Sequence, residues 1–187
     1  MLTAPVRLLR HPRAPWPGPE LALTASCVVR ADGAGECRFE LAGELEAIVV
    51  PGPAAPARAD GLWQHTCFEV FIARRGAPGY LEFNFAPSGR WAAYAFDGYR
   101  APAPAPTLPA PAIRAEARAA GLSLTARVGP GSWPEPDGAV LEVGLAAVLE
   151  ARGGALGYFA LRHPAERPDF HDRRGFALTL GDAQPVS

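Results

Sequence analysis

Two neighbouring segments of the chain alternate apolar and polar side chains with a period of two, and this pattern constrains the fold more than any other feature. In residues 68–72, Phe, Val and Ile occupy every second position, and in residues 81–85 Leu, Phe and Phe do the same. Successive side chains of a strand point to opposite faces, so each apolar set lies on one face and both belong against a common core. A slip of one residue would turn one set towards solvent. The pattern therefore predicts an antiparallel hairpin with a fixed register.

The predicted hairpin has a second face that carries isolated polar groups. Glu69 on the first strand, and Glu82 and Asn84 on the second, point away from the core. The connection is either a tight turn at residues 76–77 or a longer loop that includes Pro78. The predicted register sets these residues opposite each other: Phe68 and Phe85, Val70 and Phe83, Ile72 and Leu81, Glu69 and Asn84, and Phe71 and Glu82.

A third strand is predicted over residues 90–96, after the turn signal Ala-Pro-Ser-Gly. We assign Tyr94 and Phe96 to its core face. Trp91 and the alternating alanines of the strand then join the polar face of the hairpin. The alanines would form a shallow floor there, and Trp91 would stand at one end of a groove.

Further strand-like runs recur along the chain with turn signals between them, a pattern typical of a sandwich or a barrel. Residues 145–152 contain good helix formers and precede two glycines, so one short helix is predicted there. We expect residues 1–20 to be irregular and residues 101–111 to form a proline-rich loop. The 187 residues are expected to form a single all-β domain, an antiparallel, jelly-roll-like β-sandwich. The other predicted strands are 21–30, 37–42, 48–50, 113–117, 122–128, 139–145, 156–161 and 176–180.

Charge and hydropathy narrow the classes of partner. The formal net charge is -1, which gives no electrostatic reason to expect nucleic acid or an anionic membrane. All 18 basic residues are arginine, which excludes a lysine nucleophile or Schiff base. Residues 1–20 have no apolar run of signal-peptide length, and no segment approaches the roughly 20 apolar residues of a membrane span. We therefore expect a cytoplasmic protein, with its oligomeric state open.

The three cysteines, Cys27, Cys37 and Cys67, show none of the pair spacings of metal sites. Free buried thiols are the favoured interpretation, because a reducing cytoplasm opposes disulfides. A bridge between Cys27 and Cys37 across a hairpin is the alternative.

Three motifs together carry a family resemblance. They are Leu-Trp-x-x-Thr-Cys-Phe-Glu-x-Phe-Ile, Tyr-Leu-Glu-Phe-Asn-Phe-x-Pro-Ser-Gly-x-Trp and His-Pro-x-x-x-Pro-Asp-Phe-His. Over residues 62–100 and 163–171 the chain resembles the bacterial DOMON-like proteins, which are related to carbohydrate-binding module family nine. The resemblance implies a β-sandwich whose concave sheet binds a ligand, a sugar in the carbohydrate modules and haem in some DOMON proteins.

The resemblance also implies site residues. Family-nine modules place an aromatic six positions before a strand glutamate, and an asparagine on the next strand, all touching the sugar. Trp63, Glu69 and Asn84 match this arrangement. The modules clamp the sugar with a second aromatic from late in the chain, for which Phe170 is our candidate. The full set of candidate ligand-binding residues, with those of the predicted groove and tail, is Trp63, Glu69, Glu82, Asn84, Trp91, Phe170 and His171.

We therefore expect a non-catalytic domain that binds a small polar ligand, with a carbohydrate or sugar derivative favoured, and needs no cofactor. An aromatic face suits the C–H face of a sugar ring, while carboxylate and amide suit its hydroxyls. Three alternatives stay open: haem bound by His65 and His171, a structural or protein-partner sandwich, and a glycoside-active enzyme that uses Glu69 and Glu82. The polar tail at residues 163–172 matches no compact metal motif, so no metal is expected.

Overall fold

The computed structural model describes residues 2–135 and 138–181, which form β-strands, short 3-10 turns and loops. Within these ranges there is no α-helix, and no helix has the length and apolar character needed to cross a membrane. The strands are β1 (Val6–Arg10), β2 (Ala22–Val29), β3 (Gly35–Ala42), β4 (Cys67–Arg74), β5 (Tyr80–Phe85), β6 (Trp91–Gly98), β7 (Ala101–Ala103), β8 (Ala112–Arg118), β9 (Gly121–Val128), β10 (Leu141–Glu150), β11 (Leu156–Ala160) and β12 (Leu178–Leu180).

The pairings between these strands are all antiparallel and follow one continuous path that folds into two layers. One layer, the site sheet, has the order β7-β6-β5-β4-β10-β11, with β12 also paired to β10. The other layer, the back sheet, has the order β2-β3-β9-β8. β1 pairs with β11 on one side and with β2 on the other, so it joins the two layers. The predicted all-β sandwich class is confirmed.

The main core lies between the two layers and is built from their inward-facing apolar side chains. Phe39 of β3 packs against Phe68 of β4 with ring centroids 5.0 Å apart, and Phe83 of β5 contacts Trp133 at 6.1 Å. All four side chains are buried. Burial of each such ring stabilises the fold by roughly 2 to 3 kcal/mol.

The predicted register of the β4–β5 hairpin is confirmed, because all the predicted residue pairs are present. The connection runs over residues 75–79, so the longer loop is correct and the two-residue turn is not. Gly76 has a φ of 81°, a conformation that glycine adopts without a Cβ clash. The polar face of the hairpin is therefore placed as the alternation indicated.

The predicted orientation of the third strand is wrong. Trp91 begins β6 directly opposite Phe85, so its side chain joins the core and is only 7% exposed. Tyr94 and Phe96 lie on the other face of the sheet, with Tyr94 opposite Glu82. β6 carries apolar residues on both faces, so alternation alone does not orient it. The tight connection between β5 and β6 sets the register instead.

The predicted short helix is also wrong. Its first six residues, 145–150, belong to β10, which pairs with β4 on one side and with β11 and β12 on the other. Such a central strand is buried on both faces and has a nearly continuous apolar sequence, which a helix can share. Strand pairing on both sides overrides the modest intrinsic helix propensity.

Three loop and strand assignments need correction. β1 lies inside residues 1–20, which were expected to be irregular, and β7 lies inside the proline-rich loop 101–111. The predicted strand 48–50 contributes only an isolated bridge between Ile48 and Ala151. In each case the backbone pairs with a strand that is distant or weakly patterned in sequence, so local composition does not reveal it.

Cys27 and Cys37 lie directly opposite each other in the β2–β3 hairpin and form a disulfide, with Cα atoms 4.3 Å apart. The favoured prediction of free thiols is wrong for these two residues, and the alternative bridge is correct. The register sets both side chains on the same face of the hairpin, where opposed residues approach most closely. Cys67 is free and buried.

Candidate functional site

A cavity of about 540 Å³ opens on the outer face of the site sheet, the face turned away from the main core. Side chains of β4, β5, β6, β10 and β11 contribute to it, together with the 3-10 turn before β4. Residues 162–176, the tail segment, close another side. The lining residues are Trp63, Gln64, Glu69, Glu82, Tyr94, Phe96, Arg100, Val148, Leu156, Tyr158, Pro168, Phe170 and His171.

The tail segment is held on the site sheet by a second apolar cluster. Phe176 packs against Phe71 with ring centroids 5.6 Å apart, and Phe170 approaches the same ring at 6.4 Å. Gly144 of β10 lies beside Phe176, and a Cβ at this position would come within 3.0 Å of the ring. The glycine thus lets the tail segment lie close to the sheet.

Polar contacts fix the same segment. Tyr80 Oη and His171 Nδ1 are hydrogen-bonded at 2.8 Å. Arg173 donates to the Glu142 carboxylate and to the carbonyl of Ala77, both at 2.9 Å. Apolar packing and hydrogen bonds together therefore set the positions of Phe170 and His171 at the cavity wall.

Two carboxyl groups line the cavity although both residues are buried. Glu69 of β4 is 3% exposed and Glu82 of β5 is 5% exposed. Asn84 is fully buried and donates from Nδ2 to Glu82 Oε1 at 2.8 Å. Glu69 Oε1 and Asn84 Oδ1 have no hydrogen-bond partner among the described residues. Unpaired buried polar atoms are costly, and these two lie side by side on the outer face of the hairpin.

Burial controls the protonation of both acids. Burial, and then the nearby charge of Glu82, raise the pKa of Glu69 well above its usual value. Burial also raises the pKa of Glu82, to about 7, against the opposing effects of the Asn84 hydrogen bond and the Arg100 charge. Like charges in a low-dielectric site disfavour joint ionisation, so at least one of the two carboxyls is favoured to be neutral near neutral pH.

His171 is neutral in this setting. Burial, followed by the charge of Arg100, lowers the pKa of His171 to about 4. Its Nε2 lies 3.7 Å from Glu82 Oε2, which is long for a hydrogen bond. The pair is therefore a polar contact rather than an ion pair at neutral pH.

Arg100 lies at the cavity edge in a constrained backbone conformation. Its φ is 50°, in the left-handed region that a non-glycine residue seldom adopts. Its backbone N–H donates to Tyr80 Oη at 3.2 Å, and its guanidinium donates to Asp169 Oδ1 at 3.0 Å. These contacts join the loop after β6 to the tail segment and offset the charge of Arg100.

Aromatic rings form much of the cavity wall. Trp63 is 43% exposed and makes an edge contact with Tyr94 at 6.0 Å. Tyr94 is held in turn by a hydrogen bond of 2.8 Å from its hydroxyl to Asp60 Oδ1. Across the cavity, Tyr158 of β11 contacts Phe170 at 6.1 Å. An exposed indole beside ordered rings offers a ligand a flat apolar surface.

The structure brings together most of the residues predicted from sequence. Trp63, Glu69, Glu82, Phe170 and His171 all line the cavity. Asn84 lies beside them without lining it and acts through its hydrogen bond to Glu82. The assignment of Trp91 to the groove is wrong, because its side chain lies in the core on the opposite face.

Sequence reasoning missed four prominent wall residues. Tyr94 and Phe96 line the cavity because β6 has the opposite orientation to the one predicted. A correct prediction of the β5–β6 register would have placed both residues on the outer face. Arg100 and Tyr158 gave no such signal, since one depends on a loop conformation and the other on the pairing of β11 with β10.

The described residues contain no group of three or more His, Cys, Asp or Glu side chains arranged to hold a metal ion. The two histidines considered for haem have other partners. His65 Nδ1 lies 2.8 Å from Glu150, and His171 Nδ1 is bonded to Tyr80.

No family model and no curated protein matches the chain. Among solved structures, a family 9 carbohydrate-binding module from Caldicellulosiruptor kristjanssonii in complex with cellotriose is 10% identical, with a TM-score of 0.60 over 96% of this chain and 86% of that one. A family 9 module from the same organism in complex with glucose is 9% identical, with a TM-score of 0.57 over 96% and 87%. A Bacteroides uniformis protein to which carbohydrate binding is ascribed is 16% identical, with a TM-score of 0.59 over 96% and 85%. The chain thus has the β-sandwich fold of these modules.

Proposed function

We propose that this protein is a non-catalytic binding domain whose cavity on the site sheet takes a small carbohydrate. The observation that carries the proposal is the combination of an exposed indole at Trp63 with the buried carboxyl groups of Glu69 and Glu82, the second of which is held by Asn84. A sugar ring has apolar C–H faces and a polar rim of hydroxyls, so it needs both kinds of surface in one cavity. Such a surface has no use in core packing.

The size of the cavity suits this ligand class. Its volume of about 540 Å³ lies within the range of about 300 to 1,000 Å³ that is typical of small-molecule sites. The likeness to modules solved with glucose and cellotriose supports a ligand of one to a few sugar units. The fold alone does not carry function, and the side chains of the cavity supply the chemical argument.

A second candidate, glycoside hydrolysis by Glu69 and Glu82, has weaker support. The two acids lie on adjacent strands, diagonally across the ladder. A hydrolase needs environments that separate the pKa values of its two carboxyls, so that one is protonated and the other ionised. Here burial raises the pKa of both groups. This shared direction favours binding over catalysis.

Isothermal titration of glucose, cellobiose and cellotriose tests the proposal. We expect saturable binding by the wild type and a loss of about tenfold in affinity for Trp63→Ala, because the stacking surface is removed. Leu9→Ala is the control, since Leu9 is also an exposed apolar residue but does not line the cavity. The proposal fails if the wild type binds none of a broad set of neutral, acidic and amino sugars.

The cytoplasmic location stays a prediction.

A further inference from the structure

We propose that the cavity prefers a sugar that carries a free, protonated amino group over the corresponding neutral sugar. The inference rests on the proposed carbohydrate function and concerns which chemical class of sugar is favoured. It follows from the charges and the unpaired polar atoms of the cavity floor, together with the aromatic walls.

The first observation is the balance of charge among the lining residues. Two carboxyl groups, those of Glu69 and Glu82, belong to the cavity. The one lining arginine, Arg100, is already bound to Asp169, which lies outside the lining. Lining residue His171 is neutral, as its burial dictates. With both acids ionised, the floor would carry uncompensated negative charge, and a ligand cation is the most direct way to balance it.

The second observation is the set of unpaired buried atoms. Glu69 Oε1 and Asn84 Oδ1 are both unpaired, and their residues lie directly opposite each other across the β4–β5 ladder. Oε1 is an acceptor when Glu69 is ionised. Neither has a donor within the described part of the chain. A hydroxyl offers one donor and no charge, whereas an ammonium group offers three donors and a positive charge. Hydrogen bonds that involve an ion are roughly twice as strong as neutral ones.

The walls of the cavity fit the same ligand. Lining residues Trp63, Tyr94 and Phe96 come from the turn before β4 and from β6, while Tyr158 and Phe170 come from the opposite side. The face of an aromatic ring attracts a cation, most strongly when both are removed from water. An aminated pyranose can therefore place its C–H face on the indole and its ammonium group towards the acids.

Binding of such a ligand is coupled to proton release. Before a ligand binds, burial keeps a proton on at least one of the two carboxyls near neutral pH. An incoming ammonium ion favours the ionised form, and the displaced proton passes to the buffer. The titratable and charged groups that act on Glu82 are Glu69, Cys67, Tyr80, Tyr94, Arg100 and His171, and Asp169 is paired with Arg100.

The experiment compares glucosamine, glucose and N-acetylglucosamine by isothermal titration near pH 7. We expect glucosamine to bind about tenfold more tightly than glucose, and N-acetylglucosamine to lose this advantage because acetylation removes the charge. Repeating the glucosamine titration in two buffers of different ionisation enthalpy is expected to show proton release. Between about pH 5 and about pH 7 the affinity for glucosamine should rise, since Glu82, whose pKa is about 7, ionises over this range while the amine stays protonated.

Two variants test whether the preference for glucosamine over glucose depends on the acids of the cavity. Glu82→Gln is expected to bring the ratio of glucosamine to glucose affinity close to one. Glu116→Gln should leave the ratio unchanged, because Glu116 is a partly exposed acid paired with Arg114 on β8 and does not line the cavity. If the Glu82 variant does not fold, the proton-release measurement on the wild type still decides. Equal or weaker binding of glucosamine overturns this inference and leaves the proposed function intact. Failure of every sugar to bind, even if a simple amine such as ethanolamine binds, overturns both.

Discussion

The two faces of the β4–β5 hairpin share one backbone but differ in what their side chains accomplish. The inner face, with Phe68 and Phe83, is uniformly apolar and packs against the back sheet. The outer face, with Glu69 and Glu82, is almost equally buried and yet polar. Burial alone therefore does not distinguish core from site. The inner face is apolar and needs no polar partner, whereas on the outer face Glu69 Oε1 and Asn84 Oδ1 are buried without one.

The largest effect is expected on the inner face. Phe68→Ala should lower the free energy of unfolding by about 3 to 5 kcal/mol, because it opens a cavity between the two layers. Denaturant unfolding followed by tryptophan fluorescence measures this change. A loss below about 1 kcal/mol would mean that the inner face is not the main stabilising surface.

The next effect depends on pH and concerns the outer face. The pKa of Glu82 is raised from 4.5 to about 7 in the folded protein. Between these values the folded state keeps a proton that the unfolded state has lost, so the contribution of Glu82 to stability falls as pH rises. Glutamine does not titrate. The free energy of unfolding of Glu82→Gln, relative to wild type at the same pH, should therefore increase by up to about 3 kcal/mol across this window.

Unfolding curves of both proteins at several pH values test this prediction. Glu116→Gln serves as the control, because arginines lower the pKa of Glu116 and it has no reason to show an increase in the same window. Parallel pH profiles of the free energy of unfolding for wild type and Glu82→Gln would show that the outer face does not hold a carboxyl group with a raised pKa.

A smaller effect is expected where the tail segment meets the site sheet. Tyr80→Phe removes a hydroxyl that is bonded to His171 and accepts from the backbone of Arg100. We expect a loss of about 1 to 2 kcal/mol and faster amide exchange in residues 162–176. Tyr99→Phe is the exposed counterpart: its hydroxyl also bonds to the tail segment, at Asp169, but from an exposed position, so a smaller loss is expected. Unchanged exchange in the tail segment after Tyr80→Phe would contradict the role of this contact.

The smallest effect on stability is expected at the cavity entrance. Trp63→Ala should change the free energy of unfolding by less than about 0.5 kcal/mol, because the indole is 43% exposed and lies outside both apolar clusters. The same unfolding experiment measures this value. A large loss would place Trp63 with the stabilising residues and remove it from the site.

The sequence predicted the hairpin well because its two faces differ in polarity. Only one register buries both apolar sets, so each predicted partner was correct. β6 lacks this contrast, and its orientation was therefore wrong, which misplaced Trp91 and hid Tyr94. The first residues of the predicted helix belong to β10, a strand that is buried on both faces. Such a strand has no alternation of apolar and polar residues, so its sequence resembles that of a helix.

The remaining wall residues depend on contacts between distant parts of the chain. Tyr158 reaches the cavity because β11 pairs with β10 beside β4, and Phe170 reaches it because the tail segment packs on Phe71. Local patterning does not encode such proximity. Phe170 was predicted from the family resemblance, and the structure places it at the cavity wall.

The position of β1 affects the order in which the parts of the chain can fold. Leu9 of β1 pairs with Ala160 of β11, and β4 pairs with β10 across some seventy residues. Contacts between such distant segments slow folding, because the intervening chain must first be brought together. During synthesis on the ribosome, the site sheet stays unfinished until its late strands emerge, and the tail segment follows them. The cavity on the site sheet is therefore completed only after the tail segment has emerged.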